Sequence, residues 1–172
     1  MRVKFLDQRE IRSEYQVIFW YTFLTEDIDN KVDDLLIEFI HSDCFREFGK
    51  PSIVSQSHIG GDRFLQGAFN LNNLDVTNFR IFSKDGLMQF FDEYSQSADW
   101  GDDRGEFIDV MNSFNKFLEK ETSDCFFGIS KEWFNQGDRV LSADSGFYTY
   151  YFLLMWLDIG KKIINVCEWN YD

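Results

Sequence analysis

Two runs of β-branched and aromatic residues set the terms for any fold of this chain. Tyr15 to Leu24 reads YQVIFWYTFL and is apolar on both alternating faces. That is the pattern of a central strand covered on both sides, not of a strand with one wet face. Phe147 to Leu157 behaves the same way: Tyr148, Tyr150, Phe152, Leu154 and Trp156 alternate with Phe147, Tyr151, Leu153, Met155 and Leu157. A membrane helix needs about 20 apolar residues, roughly twice this run, so it reads as a buried strand. A turn at Asp158-Ile159-Gly160-Lys161 and a strand from Lys162 to Trp169 complete a hairpin. The trailing Glu168-Trp169-Asn170-Tyr171-Asp172 is expected to leave an acid–aromatic mix at an exposed end.

Helical spacing appears three times between these strands. Val32, Leu35, Leu36, Phe39 and Ile40 form one apolar stripe, with Thr25 and Asp27 as candidate N-caps and Gly49-Lys50-Pro51 beyond its end. Leu87, Phe90, Phe91 and Tyr94 form a second, capped by Ser83, and Phe107, Val110, Met111, Phe114, Phe117 and Leu118 a third, over about 106–121. Strands are expected at Phe64–Leu71 and Val76–Phe82, joined by a turn at Asn72–Asp75, and at Cys125–Ile129. Loops fill 52–63, 97–105 and 135–146. The order predicts one α+β domain over 1–172, an antiparallel or mixed sheet with about three helices packed on it. A chain of 172 residues with 20 Phe has ample core material, and its one proline and lack of repeats give no domain boundary.

The N-terminus has no apolar segment followed by a small-residue cleavage site, so a cytoplasmic location is expected. Cys44, Cys125 and Cys167 are odd in number, widely spaced and set beside apolar neighbours, as reduced core thiols are.

The net charge of −13 is unevenly placed. Glu26 to Asp43 carries seven acids and one base, and Lys84 to Asp124 carries eleven acids and four bases. Those two segments hold the whole excess, and the remainder is neutral. Such a surface repels nucleic acid and anionic lipid, whose binders need basic patches, and attracts basic proteins. The candidate partner-binding residues are therefore Asp29, Asp33 and Asp34 on the first helix, and Asp99, Trp100, Asp102, Asp103, Glu106 and Asp109 around the start of the third. Trp100 would supply an aromatic anchor among carboxylates, whereas Tyr94 completes a helical stripe and reads as core.

Chemistry is thinly represented. From Asp99, an EF-hand loop would need an oxygen ligand at Gly101, glycine at Arg104 and glutamate at Val110, so the pattern fails. No Cys or His pair has zinc spacing, and no phosphate-binding loop occurs. His41 sits near a helix end, and only His58, in SQSHIGGDR, stands among serines, an aspartate and glycines. Near neighbours in one loop seldom make a triad. The expectation is no catalytic residue, no metal and no cofactor.

In size, acidity and aromatic content the chain resembles the immunity proteins with which bacteria neutralise their own toxins. The acidic runs Glu26–Asp43 and Asp99–Asp109 and the aromatic end Phe147–Tyr171 carry that likeness, which is one of type and transfers no position. It implies an acidic inhibitor that covers the active site of a basic partner such as a nuclease. The alternatives are a small hydrolase using the His58 loop, and a structural or adaptor subunit with a large exposed apolar patch.

Overall fold

Along the strand Tyr150–Asp158, successive side chains enter two different cores. Tyr151, Leu153, Met155 and Leu157 pack on one side, and Phe152, Leu154 and Trp156 on the other. A strand apolar on both faces demands cover on both faces, and this chain supplies it with helices. The computed structural model describes residues 2–26, 32–43, 45, 64–65, 68–70, 72–97, 103–142, 145–147 and 149–171.

Its strands are β1 (Val3–Arg12), β2 (Gln16–Thr25), β3 (Phe64–Leu65), β4 (Phe69–Asn70), β5 (Arg80–Phe82), β6 (Phe126–Ser130), β7 (Tyr150–Asp158) and β8 (Ile163–Tyr171). The helices are α1 (Val32–Ile40), α2 (Lys84–Ser97) and α3 (Arg104–Leu118). Six strands form one antiparallel sheet in the order β1-β2-β8-β7-β6-β5, while β3 and β4 pair separately. The fold is α+β, as expected.

The first face of the sheet is covered by α1, whose Leu35, Leu36, Phe39 and Ile40 join Phe23, Tyr151 and Val166. The second is covered by α2 and α3, whose Leu87, Phe91, Phe107, Val110 and Phe114 meet Trp20, Trp156 and Trp169. Ring contacts knit this second layer: Phe107 stacks on Trp169 with centroids 4.6 Å apart, and Trp20 meets Trp156 at 5.1 Å. Gly128 in β6 is where two rings close over the backbone, since a Cβ there would lie 2.8 Å from Phe152 Cζ and 3.0 Å from Phe82 Cε2.

Several expectations are corrected. β1 had no counterpart in the sequence reading. It is exposed along most of its length and rich in charge, with Asp7–Arg9 and Glu10–Arg12 ion pairs and a bulge at Leu6. The hairpin expected across Asn72–Asp75 does not form. β3 pairs with β4, and β5 joins β6 in the main sheet. Asp75 instead caps a short 3-10 turn, Val76–Asn78. Its side chain accepts from Thr77 N at 3.0 Å, and Asp75 N donates to Asn78 Oδ1 at 2.7 Å. That reciprocal cap commits the segment to a helical start. Thr25 is the buried last residue of β2, paired with Val3, and the residues it was expected to cap lie outside the described residues. Asp27 and Gly49–Pro51 lie outside the described residues. The trailing acid–aromatic segment is no exposed end, because β8 lies between β2 and β7 and buries Glu168, Trp169 and Asn170.

The cap on α2 stands as expected, with Ser83 Oγ accepting from Gly86 N at 3.1 Å. α3 begins and ends slightly earlier than its spacing suggested, and β7 begins at Tyr150. No helix among the described residues is long and apolar enough to cross a membrane.

Candidate partner-docking surface

The β1–β2 connection is three residues, Ser13-Glu14-Tyr15, closed by Ser13 N donating to Gln16 O at 2.9 Å. A turn this short leaves its backbone donors pointing outward, and one carboxylate collects them. Glu106, in the first turn of α3, presents Oε1 to the Ser13 hydroxyl, to Tyr15 N at 2.7 Å and to Gln16 N at 3.2 Å. The same position suits a carboxylate for a second reason, the positive end of the helix dipole. Gln16 is fixed from below, where its Oε1 accepts from Trp169 Nε1 at 3.0 Å.

Asp103 occupies the N-cap position of α3 but makes no capping hydrogen bond. Its Oδ2 accepts instead from the Tyr171 hydroxyl, tying the helix start to the end of β8. That bond, followed by burial and the charges of Asp103 and Glu106, pushes the Tyr171 phenol up to about 12.

What this clamp displays is Tyr15, 52% exposed at the turn apex. Its hydroxyl is held above the ordinary range, first by its hydrogen bond to Glu14 and that residue's charge, then by slight burial and by Asp103 and Glu106. Asp109 lies exposed one turn further along α3. The corner thus combines an exposed aromatic ring with carboxylates on a backbone fixed from three elements.

The candidate residues divide accordingly. Asp103, Glu106 and Asp109 come together at this corner, although Asp103 and Glu106 are engaged within the fold. Asp33 and Asp34 lie elsewhere: they open α1, on the first face of the sheet, whereas α3 covers the second. They also lie at the other end. The first residue of α1, Val32, borders a hollow with Thr122–Cys125 and with Ile159 and Gly160 of the β7–β8 turn. The pairing Gln16↔Tyr171 and Leu24↔Ile163 puts that turn at the end opposite Tyr15. The two acidic groups therefore occupy diagonal corners, and no single flat surface spans both. Asp29, Asp99, Trp100 and Asp102 lie outside the described residues, as does the His58 loop.

The exposure of Tyr15 was not foreseen, because it opens an apolar run and reads as strand. The preceding Ser13-Glu14, two polar residues between two extended segments, was the signal available. Tyr94 packs as core, with its ring stacked on Phe90 at 5.6 Å and its hydroxyl pKa raised by burial, then by Glu132 and Tyr150. Cys167 is buried and its thiol pKa raised, by burial first and then by the charges of Glu121 and Glu168. Cys125 is shifted the same way, with Asp33 and Asp124 as the charges. Neither has the lowered pKa of a reactive thiol. Cys44 lies outside the described residues. Among the described residues no three His, Cys, Asp or Glu side chains are grouped to hold a metal.

Comparison with protein-family models, curated proteins and solved structures found no match for this chain.

Proposed function

We propose that this chain is an acidic protein-binding inhibitor, an immunity protein that neutralises a basic toxin such as a nuclease by covering its active site. The observation that carries this reading is Tyr15. A large ring stands exposed among carboxylates on a turn that Glu106 holds rigid. Interfaces draw most of their affinity from a few aromatic anchors, and an anchor held in place before binding loses little entropy on docking. Glu14 and Asp109 would stand where substrate phosphates stand in a basic cleft, and the wider acidic field would speed encounter. The partner is a basic protein; no nucleic acid or membrane is bound, no cofactor is used, and the location is cytoplasmic. The diagonal placement of Asp33 and Asp34 makes them contributors to steering, not to the same contact.

The described surface gives less support to a structural subunit. Its exposed large apolar residues, Leu6, Tyr15, Ile81 and Ile159, lie on opposite edges and opposite ends of the sheet and form no patch.

The test is capture from source-cell lysate at low salt, followed by an activity assay of the retained protein. One basic protein should bind in near-stoichiometric yield and lose its activity on binding. Tyr15→Ala combined with Asp109→Lys should release it. Retention unchanged in that double variant, or elution of only generic basic proteins at modest salt, overturns the proposal.

A further inference from the structure

At the end of the sheet that also carries Tyr150 and Tyr171, the segment after β6 builds a groove of about 810 Å³, within the range of small-molecule sites. One wall is the turn 135–138, closed by Asp138 N donating to Asn135 O at 3.0 Å, with Gly137 at φ 94°. A lone positive φ here suits glycine. The opposite wall is the Asn70–Asn73 turn. The two are joined by main-chain hydrogen bonds, Asn70 N to Val140 O at 2.8 Å and Ser142 N to Ala68 O at 3.1 Å, and by Asn73 Nδ2 donating to Arg139 O at 2.8 Å. The groove is thus a braced structure.

Four charged residues line it: Lys131, Arg139, Glu132, which accepts from the Ser130 hydroxyl and from Tyr94 OH at 3.3 Å, and Asp138, which accepts from Asn135 N at 2.8 Å. Arg139 lines the groove and makes no ion pair among the described residues. Phe134 also lines it, its ring edge-on to Phe69 at 6.2 Å. Gln136 adds a planar amide donor and acceptor, and Asn70, whose Oδ1 accepts from Asn72 N at 3.0 Å, adds its Nδ2 donor.

We infer that this groove binds a nucleoside monophosphate: the phosphate on Arg139, the base on the Phe134 ring, and the base edge read by the amides of Asn70 and Gln136. A guanidinium binds phosphate through paired hydrogen bonds, an aromatic face stacks any base, and amides match base-edge donor and acceptor pairs. The site is independent of the Tyr15 corner and of the inhibitor reading.

The experiment is a calorimetric and amide-NMR titration of the whole chain with each of the four ribonucleoside monophosphates, with the matching nucleosides, and with inorganic phosphate. At least one monophosphate should bind with a dissociation constant of about 1 mM or tighter and shift the amides of Asn70, Gln136 and Arg139. Its nucleoside and phosphate alone should each bind at least roughly tenfold more weakly. Arg139→Ala should weaken binding about tenfold or more, and Gln136→Ala, at an equally exposed position, should weaken it while the fold is kept. Absence of binding by all four at about 10 mM overturns the assignment. So does affinity unchanged in Arg139→Ala, or phosphate alone binding as tightly as the nucleotide.

Discussion

At the scale of single residues, some carboxylates in this protein hold the fold as well as charge its surface. Glu106 receives three donors, from the Ser13 hydroxyl, Tyr15 N and Gln16 N, around the β1–β2 turn. Hydrogen bonds to a charged group are worth about 1.5–3 kcal/mol apiece where shielded, and less on a half-exposed side chain. Glu106→Ala should therefore lower stability by about 1–3 kcal/mol in urea titration, and amide exchange should quicken at Tyr15 and Gln16 before it does in β7. Asp103 and Tyr171 give a pH signature. The phenol's pKa rises from an unperturbed 10.0 to about 12 in the folded chain, so folding favours its neutral form. That contribution is complete below pH 10 and is lost as the pH climbs through about 12. Alkaline unfolding should show a loss of stability across that window, and Tyr171→Phe, less stable at neutral pH, should lose less of it there.

Elements differ in how openly the sequence announces them. β2, β7 and β8 were legible because they are covered on both sides, and two-sided burial writes itself as an unbroken apolar run. The helices were legible by their stripes. β1 was not, because an open edge strand buries little and carries charges against mispairing; Asp7, Arg9, Glu10 and Arg12 and the Leu6 bulge leave no period-two hydrophobic signal. The 72–82 segment misled because Asn and Asp serve turns and caps alike, and only the Asp75–Asn78 reciprocal pair separates them. Of the docking corner, the acids of α3 were visible in the composition of their segment. The bonding of Glu106 to the Ser13–Tyr15 turn was not, since about 90 positions separate the partners. β6 offers the test at this scale. Gly128→Ala adds a methyl where Phe152 and Phe82 already touch, and overpacking of this kind costs about 1–3 kcal/mol. Differential scanning calorimetry should show a Tm lower by several degrees, whereas Gly105→Ala, with open space at its Cβ, should not fall.

The whole molecule is a sheet with an acidic layer on each side. The segment Glu26–Asp43, which contains α1, carries seven acids and one base, and Lys84–Asp124, which contains α2 and α3, carries eleven acids and four bases. For a basic partner docking at Tyr15, changes at the two layers should separate kinetically. Asp33→Asn with Asp34→Asn should slow association by less than about threefold, an effect that fades with salt. Tyr15→Ala should quicken dissociation by about 10-fold or more, the scale of a lost anchor. Surface plasmon resonance at two ionic strengths would read both. Like charges carried by the helices of the two faces also oppose one another in the molecular dipole. At long range the protein attracts as a monopole and turns an approaching partner very little. Orientation is settled only within the last Debye length, where local shape, and at that corner one tyrosine ring, distinguishes one side of the molecule from the other.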